Sequence, residues 1–175
     1  FLDDNEAVQE CGGFPVVGRS CEVEGYIGEW DIFVAVGNAE IRGKLTAGLS
    51  GKGALLPVLI HPDAVVGQGA VIGNGTVIMA GAVINSDAQI GEGCIINTCA
   101  SVDHDCRIDD FVHVSVGAHV AGGVHVGANT WIGAGAVLSD HIKVAPDCMV
   151  GAGAVVVKDI GEGGTYVGVP ARKIS

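Results

Sequence analysis

The segment VVGQGAVIGNGTVIMAGA, residues 65–82, repeats one six-residue pattern three times. In each copy the second residue is Val or Ile, and the sixth residue is Ala or Thr. The pattern continues on both sides of the segment, from Ile60 to Val156, without interruption. A period of six matches neither the 3.6-residue period of a helix nor the two-residue alternation of an ordinary strand.

A repeat of fixed period predicts a solenoid, in which each hexad forms one short strand and one bend. We expect the aliphatic residue of each hexad to point inward and the small residue to fill the corner. With three hexads per coil, residues one coil apart would stack at the strand spacing of about 4.8 Å. The aliphatic positions are Ile60, Val66, Ile72, Ile78, Ile84, Ile90, Ile96, Val102, Ile108, Val114, Val120, Val126, Ile132, Leu138, Val144, Val150 and Val156. The mostly small positions are Ala64, Ala70, Thr76, Ala82, Ala88, Cys94, Ala100, Cys106, Val112, Ala118, Val124, Thr130, Ala136, Ile142, Cys148, Ala154 and Ile160.

These hexads, together with WIGAGA, VLSDHI, KVAPDC and MVGAGA of residues 131–154, resemble the hexapeptide-repeat acyltransferases. The resemblance implies a left-handed parallel β-helix. The period alone does not give this handedness, because crossover connections are usually right-handed. The closing GVPARKIS resembles the tail of sugar acetyltransferases in the same family. The sequence therefore predicts a mainly β fold, with a left-handed β-helix acetyltransferase domain and its tail over residues 58–175.

Residues 1–57 are predicted to form a small α/β domain. Trp30–Gly37 has the composition of a buried strand that ends in glycine, and Asn38 can cap a helix running to about Leu49. A strand, a glycine turn and a helix in this order suggest a nucleotide-binding unit.

The segments FLDDN (1–5) and VAVGNAEIR (34–42) resemble the N-terminal domain of bacterial acetyltransferases that act on nucleotide-linked amino sugars. They also resemble the sialic-acid O-acetyltransferase-like proteins. In that family a first strand, a Ser-Gly-His turn and a helix precede the FLDDN strand, and this sequence contains none of the three. We therefore expect a partial α/β sugar-nucleotide-binding domain that lacks its first βα unit.

The composition argues against some classes of binding partner and indicates the cellular compartment. A net charge of −11 argues against nucleic acid and anionic membranes, because both require a basic surface. No apolar run approaches the roughly 18 residues of a membrane span, and no leader is recognisable. The six cysteines show no C-x-x-C pattern, and three of them occupy small corner positions. We expect a soluble cytoplasmic protein with reduced, mostly packed thiols, Cys99 included.

Four basic residues follow position 142: Lys143, Lys158, Arg172 and Lys173. They are a candidate binding site for a phosphorylated cofactor, and a solvated tail is an equally weighted alternative.

The richest chemistry lies in residues 97–127, which contain His104 between two aspartates and three further histidines. Transfer of an acetyl group from a thioester needs a base near neutrality, which imidazole supplies. An adjacent carboxylate can orient the ring and raise its basicity. The segment NTCASVDHDC resembles the family segment with a base histidine followed by an acidic partner. The resemblance implies that His104 is the general base and that Asp105 orients it, with Asp where some relatives have Glu.

The same resemblance implies an acetyl-CoA groove. His113 matches a histidine that touches acetyl-CoA, and it precedes the inward Val114, so its side chain should be outward and free. Gly122, Ala134 and Ala152 match positions whose backbone lines the pantetheine groove.

Five residues are substrate contacts by resemblance only. Asp3, Asp4 and Asn5 match a loop that contacts the nucleotide, and Gly37 and Glu40 match contacts from the turn before the helix. An acidic solvated loop is the alternative interpretation. For the other histidines we expect structural or solvated roles; they are His61, His119, His125 and His141.

A zinc site is a further alternative for the histidine-rich region. Residues 113, 119 and 125 would lie on three successive sides of one coil, however, and one chain cannot bring them to one ion. We expect no metal.

The sequence thus predicts an acetyl-CoA-dependent N-acetyltransferase acting on the 4-amino group of a UDP-4-amino-4,6-dideoxy sugar. The family assembles as trimers with active sites between protomers, so a homotrimer is expected. Two alternatives stay open: O-acetylation of a sugar such as sialic acid, and a non-catalytic trimeric scaffold.

Overall fold

The computed structural model describes residues 1–175 and folds most of them into a prism of very short strands. In chain order the elements are β1 (Glu10–Cys11), β2 (Phe14–Pro15), a 3₁₀ helix (Ser20–Tyr26), α1 (Ala39–Gly51), β3 (Leu59–Ile60), β4 (Val65–Val66), β5 (Val71–Ile72), β6 (Val77–Ile78), β7 (Val83–Ile84), β8 (Gln89–Ile90), β9 (Ile95–Ile96), β10 (Ser101–Val102), β11 (Arg107–Ile108), β12 (His113–Val114), β13 (His119–Val120), β14 (His125–Val126), β15 (Trp131–Ile132), β16 (Val137–Leu138), β17 (Lys143–Val144), β18 (Cys148–Val150), β19 (Val155–Val156), β20 (Gly164–Val167) and β21 (Arg172–Lys173).

Three sheets form the sides of the prism. Sheet I contains β3, β6, β9, β12, β15, β18, β20 and β21; sheet II contains β4, β7, β10, β13, β16 and β19; sheet III contains β5, β8, β11, β14 and β17. The chain runs from sheet I to II to III and back, and every strand from β3 to β19 pairs in parallel with strands one coil away. Ser101, for example, pairs with His119, 18 residues later. The predicted left-handed parallel β-helix with three hexads per coil is confirmed.

The aliphatic positions of the repeat form the core. From Ile78 to Val156 every one of them is buried, with Cys94, Cys106 and Cys148 packed between them at the corners. The first coil differs, since Ile60 is 48% exposed and Val66 is 38% exposed. These two residues point inward like the others, but no earlier coil covers them.

We expect Leu138→Ala to lower the free energy of unfolding by about 2–5 kcal/mol, because Leu138 is completely buried and β16 is paired on both sides, with β13 and β19. Urea unfolding followed by circular dichroism measures the change. Val71→Ala is the matched control, since Val71 is 61% exposed. A loss below about 1 kcal/mol for Leu138→Ala would contradict the assignment of this residue to the core.

The fifth residue of every hexad from residues 65–70 to residues 149–154 adopts a left-handed backbone conformation. Glycine occupies this position in many hexads, but Asp105 (φ 57°), Cys99 (φ 55°) and His141 (φ 57°) adopt it as well. The conformation turns the side chain outward, and for this reason Cys99 is exposed rather than packed as predicted.

The N-terminal residues contain little regular structure. The strands β1 and β2 form a short hairpin, and α1 begins as predicted, with the Asn38 side chain accepting a hydrogen bond from the Ile41 N–H at 3.0 Å. The strand predicted over Trp30–Gly37 does not form. Its strand-like pairing is limited to an isolated bridge, between Trp30 and Ile27, and a hydrogen bond from the Ile32 N–H to the Leu55 carbonyl at 2.9 Å, so no continuous strand pairing is established. The end of α1 at Gly51 and the start of β3 at Leu59 lie on either side of the predicted domain junction, which stays a prediction.

None of the helices combines the length and the apolar character that crossing a membrane would require.

Candidate active site

His104 lies at the corner between sheets II and III, in the bend after β10. Its Nδ1 lies 2.8 Å from Oδ2 of Asp105. The left-handed conformation of Asp105 turns its carboxylate back towards the ring. A carboxylate oxygen accepts a hydrogen bond from Nδ1–H, so the proton of the neutral ring is on Nδ1 and Nε2 carries the free lone pair. The pair therefore presents Nε2 to solvent as a base.

A second carboxylate fixes this corner. Asp103 accepts hydrogen bonds from Nδ2 of Asn85 at 2.7 Å and from the backbone N–H of His104 at 2.8 Å. These bonds lower the pKa of Asp103, which stays ionised. The hydrogen bond to Asp105, and then the charge of Asp103, raise the pKa of His104 above its ordinary value. The imidazole is thus a stronger base than a free histidine.

The ring of His104 covers Gly122, which lies one coil further on and is buried. A Cβ at Gly122 would lie only 2.7 Å from Nε2 of His104. The ring of His141 covers the next glycine in the same way, since a Cβ at Gly123 would lie 2.4 Å from its Nδ1. The absence of side chains at Gly122 and Gly123 therefore provides the space in which both rings lie.

His113 occupies the outward position of β12 in sheet I, but it is not free as predicted. Its ring stacks on Trp131 with centroids 5.1 Å apart. Oδ1 of Asn97 accepts the Thr98 N–H at 2.7 Å, so Nδ2 of Asn97 is the atom that donates to Nε2 of His113 at 3.1 Å. The proton of the neutral ring then resides on Nδ1, which is buried without a partner.

Burial, and then the charge of Arg42, lower the pKa of His113 to about 4. The ring is therefore neutral at physiological pH, with a fixed tautomer.

A cavity of about 800 Å³ lies between the start of α1 and the prism. Gly37 and Glu40 line it from the N-terminal side, and His113, Trp131 and Asp147 line it from the prism. We call it the α1 cavity. It brings together two of the predicted substrate contacts and one of the predicted cofactor contacts.

The other predicted site residues of the prism lie away from the α1 cavity. His104, Asp105 and Gly122 are at the corner between sheets II and III, which is opposite sheet I and its His113. Ala134 and Ala152 follow β15 and β18, at the corner between sheets I and II, and both are exposed. One chain alone therefore brings the predicted base to one predicted cofactor contact, Gly122, and not to His113, Ala134 or Ala152.

The side chains of the N-terminal acidic loop accept hydrogen bonds from nearby backbone N–H groups. Oδ1 of Asp3 accepts the Asn5 N–H at 2.8 Å, and Oδ1 of Asp4 accepts the Ser20 N–H at 2.9 Å. Oδ1 of Asn5 accepts the Ala7 N–H at 3.1 Å. These bonds order the loop and leave the second carboxylate oxygen of each aspartate available.

The other histidines have separate environments. His119 lies 2.9 Å from Oγ of Ser101 on sheet II, and His125 lies 2.8 Å from the Asp109 carboxylate on sheet III. With His113 on sheet I, the three histidines of the zinc alternative start strands of three different sheets.

Sequence reasoning missed three residues of the site: Arg42, Asn97 and Trp131. The coil period could have found Trp131, because it lies one coil after His113 and the two residues pair in register. Arg42 gave no such signal, since a single arginine in a helix is usually solvated.

Comparison with known proteins shows the family of the chain. The family model of the bacterial transferase hexapeptide (six repeats) matches residues 69–104 and 123–158, and that of the PglD N-terminal domain matches residues 1–49. No curated protein matches the chain.

Several solved structures are similar. The acetyltransferase domain of PglB from Neisseria gonorrhoeae is 45% identical, with a TM-score of 0.96 over 99% of this chain and 85% of that one, and it has also been solved in complex with acetyl coenzyme A. A variant of perosamine N-acetyltransferase from Caulobacter crescentus, in complex with CoA and GDP-perosamine, is 38% identical, with a TM-score of 0.90 over 93% of this chain and 79% of that one. WeeI from Acinetobacter baumannii is 28% identical, with a TM-score of 0.91 over 99% and 84% of the two chains.

Proposed function

The chain belongs to the hexapeptide-repeat sugar acetyltransferases, and from that membership we propose that it transfers the acetyl group of acetyl-CoA to the 4-amino group of a UDP-4-amino-4,6-dideoxy sugar. The observation that carries the proposal is the His104–Asp105 pair, exposed at a corner of a fold that matches an acetyltransferase domain solved with acetyl coenzyme A. UDP is proposed from the resemblance of the N-terminal segments, while the perosamine relative was solved with a GDP sugar.

In the proposed reaction the amine attacks the thioester carbon, and Nε2 of His104 takes the proton that the amine loses. A C–N bond forms, and the tetrahedral intermediate then expels the CoA thiolate as the C–S bond breaks. The protonated His104 returns its proton to the thiolate. Asp105 holds the ring and stabilises the imidazolium between these two steps. The thioester supplies the reactivity, so the protein chiefly positions two substrates.

We propose that His113, Gly122, Ala134 and Ala152 contact acetyl-CoA. His113 is suited to hydrogen bonding rather than to proton transfer, because its pKa of about 4 keeps it neutral. His113, or a backbone N–H, would donate to the thioester oxygen as negative charge develops there. For His113 this requires the ring to turn, because its Nδ1–H is buried and its Nε2 accepts from Asn97. No metal takes part in this scheme.

The acceptor is proposed to lie in the α1 cavity, with Gly37 and Glu40 as contacts and Asp3, Asp4 and Asn5 reaching the nucleotide. Since His104 is on the opposite side of its own prism, the base next to this cavity would come from a second copy of the chain. A homotrimer with active sites between protomers meets that requirement. All six cysteines are free thiols, which suits the cytoplasm.

The pH dependence of turnover should report on Asp105. The base must be deprotonated, so the rate rises with pH through the pKa of His104, which Asp105 raises. In Asp105→Asn we expect this acidic limb to move to lower pH and kcat to fall about tenfold. Profiles of kcat and of kcat/KM against pH measure the two effects. Asp109→Asn is the control, because Asp109 pairs with Arg107 and His125 instead, and an unmoved limb in Asp105→Asn would contradict the assignment.

The experiment that tests the function is CoA thiol release from acetyl-CoA against a panel of UDP-4-amino sugars, GDP-perosamine and free sialic acid. Release with a UDP amino sugar supports the proposal, and release with GDP-perosamine alone would replace UDP by GDP. Release with sialic acid alone would move the assignment to O-acetylation. If no acceptor on the panel leads to thiol release and CoA does not raise Tm, the result would favour a non-catalytic scaffold.

A further inference from the structure

Arg42 is the largest fully buried side chain of the molecule, and its guanidinium has no carboxylate partner. It lies in the first turns of α1 and is 1% exposed. Its donors reach four backbone carbonyl oxygens, those of Gly93 (2.7 Å), Val36 (2.9 Å), Gly37 (2.8 Å) and Phe111 (2.8 Å). A buried cation is costly unless its donors are paired, and here carbonyl oxygens accept from all three nitrogens of the guanidinium, in four hydrogen bonds.

These four carbonyls belong to two parts of the structure. Gly93 and Phe111 occupy the same corner position in consecutive coils, between sheets III and I. Val36 and Gly37 belong to the turn that leads into α1. The guanidinium therefore fastens this turn to the prism at the edge of the α1 cavity.

The bonds also fix which way the peptide groups of the turn point. In a planar trans peptide the C=O and the following N–H point in opposite directions. Because the carbonyls of Val36 and Gly37 point at Arg42, the N–H groups of Gly37 and Asn38 point away from it. Both residues line the α1 cavity, and neither N–H has an acceptor within the chain.

We propose that Arg42 is a positioning residue for the acceptor: by holding two carbonyls inward, it presents the N–H groups of Gly37 and Asn38 to the phosphate oxygens of a nucleoside-diphosphate sugar in the α1 cavity. The inference rests on the proposed function and adds a residue that never touches the acceptor. Only arginine provides the planar fork that reaches carbonyls on two sides, since lysine has one ammonium and fewer directions.

The test compares Arg42→Lys and Arg42→Met with the unaltered chain. We expect the KM for the UDP-4-amino sugar, or for GDP-perosamine if that is the acceptor, to rise about tenfold or more in Arg42→Met and less in Arg42→Lys. The KM for acetyl-CoA should change less than about threefold in both variants, because three of the four proposed cofactor contacts, Gly122, Ala134 and Ala152, lie at other corners of the prism. The fourth, His113, lines the α1 cavity, but Trp131 and Asn97 hold its ring and Arg42 makes no hydrogen bond to it.

A purely structural role is separated by a matched control. Leu49→Ala removes a buried side chain from the same helix without touching the turn, so it should lower Tm and leave the acceptor KM unchanged. Arg42→Lys retains the charge and supplies the readout if Arg42→Met does not fold.

The outcomes are distinct. An unchanged acceptor KM in a folded Arg42 variant, or an equal rise in both KM values, overturns the inference while turnover by the unaltered chain upholds the proposed function. If the unaltered chain neither binds nor acetylates any amino sugar nucleotide, both fail. A selective rise in the acceptor KM, absent in Leu49→Ala, supports the positioning role.

Discussion

We expect His104→Ala to lower kcat by about two to three orders of magnitude, the usual contribution of a positioned general base. The side chain makes no contact with the hydrophobic core, since its recorded partners are the Asp105 carboxylate and the face of Gly122. Truncation should therefore leave the fold and the oligomeric state unchanged. Steady-state release of CoA thiol, at saturating acetyl-CoA and amino sugar nucleotide, measures the loss.

His119→Ala is the control for this experiment, because His119 also lies on the prism surface and bonds only to Ser101. It should retain turnover within about twofold of the unaltered chain. Size-exclusion chromatography and far-UV circular dichroism of both variants would detect any general damage. Turnover of His104→Ala within threefold of the unaltered chain would refute the base assignment.

The solenoid could be predicted from the sequence because its determinants are local and repeated. Each hexad specifies its own inward residue and its own corner, and one spacing then fixes the register of every strand. The exceptions occur where a hexad lacks a neighbour: Ile60 and Val66 fit the pattern and are nevertheless partly exposed. Periodicity describes the interior of a stack, but it does not describe what covers its end.

The N-terminal residues were predicted less well for the same reason. The helix α1 carries its own cap at Asn38, and its start was correct. A strand, by contrast, exists only through a continuous partner, and Trp30–Gly37 has only an isolated bridge from Trp30 to Ile27 and one hydrogen bond from Ile32 to Leu55. Apolar β-rich composition therefore indicated an extended segment but could not indicate its pairing.

In the candidate site, too, contacts between sequence neighbours could be predicted and contacts between distant residues could not. His104 and Asp105 are adjacent in sequence, so their pairing follows from local geometry. The bonds of Arg42 to Gly93 and Phe111 span 51 and 69 residues, and no local pattern encodes them. The outward position of His113 was correct, but its burial depends on Trp131 and Asn97 from neighbouring coils. Contacts between coils are predictable only when the stacking register is used residue by residue.

We expect Gly122→Ala to lower kcat about 100-fold while the prism stays folded. Gly122 does not have a positive φ, so alanine fits the backbone. The added Cβ would lie 2.7 Å from Nε2 and 2.8 Å from Cε1 of His104, and these distances are so short that the imidazole ring must move. A displacement of about 1 Å in a catalytic group costs on the order of 100-fold in rate. Gly48→Ala is the control, since a Cβ there meets nothing within 4 Å.

The reason for such a loss can be isolated by combining Gly122→Ala with His104→Ala. If the Cβ acts by displacing the imidazole, it has no further effect once the imidazole is gone, and the double variant retains the turnover of His104→Ala alone. If Gly122 instead acts by lining the pantetheine groove, the Cβ narrows that groove whether or not the ring is present. The KM for acetyl-CoA would then rise in both backgrounds. Glycine at this position would then have two roles: it leaves space for the His104 ring and it lines the cofactor groove. Comparing the single and double variants measures the effect on the His104 ring separately from the effect on the groove.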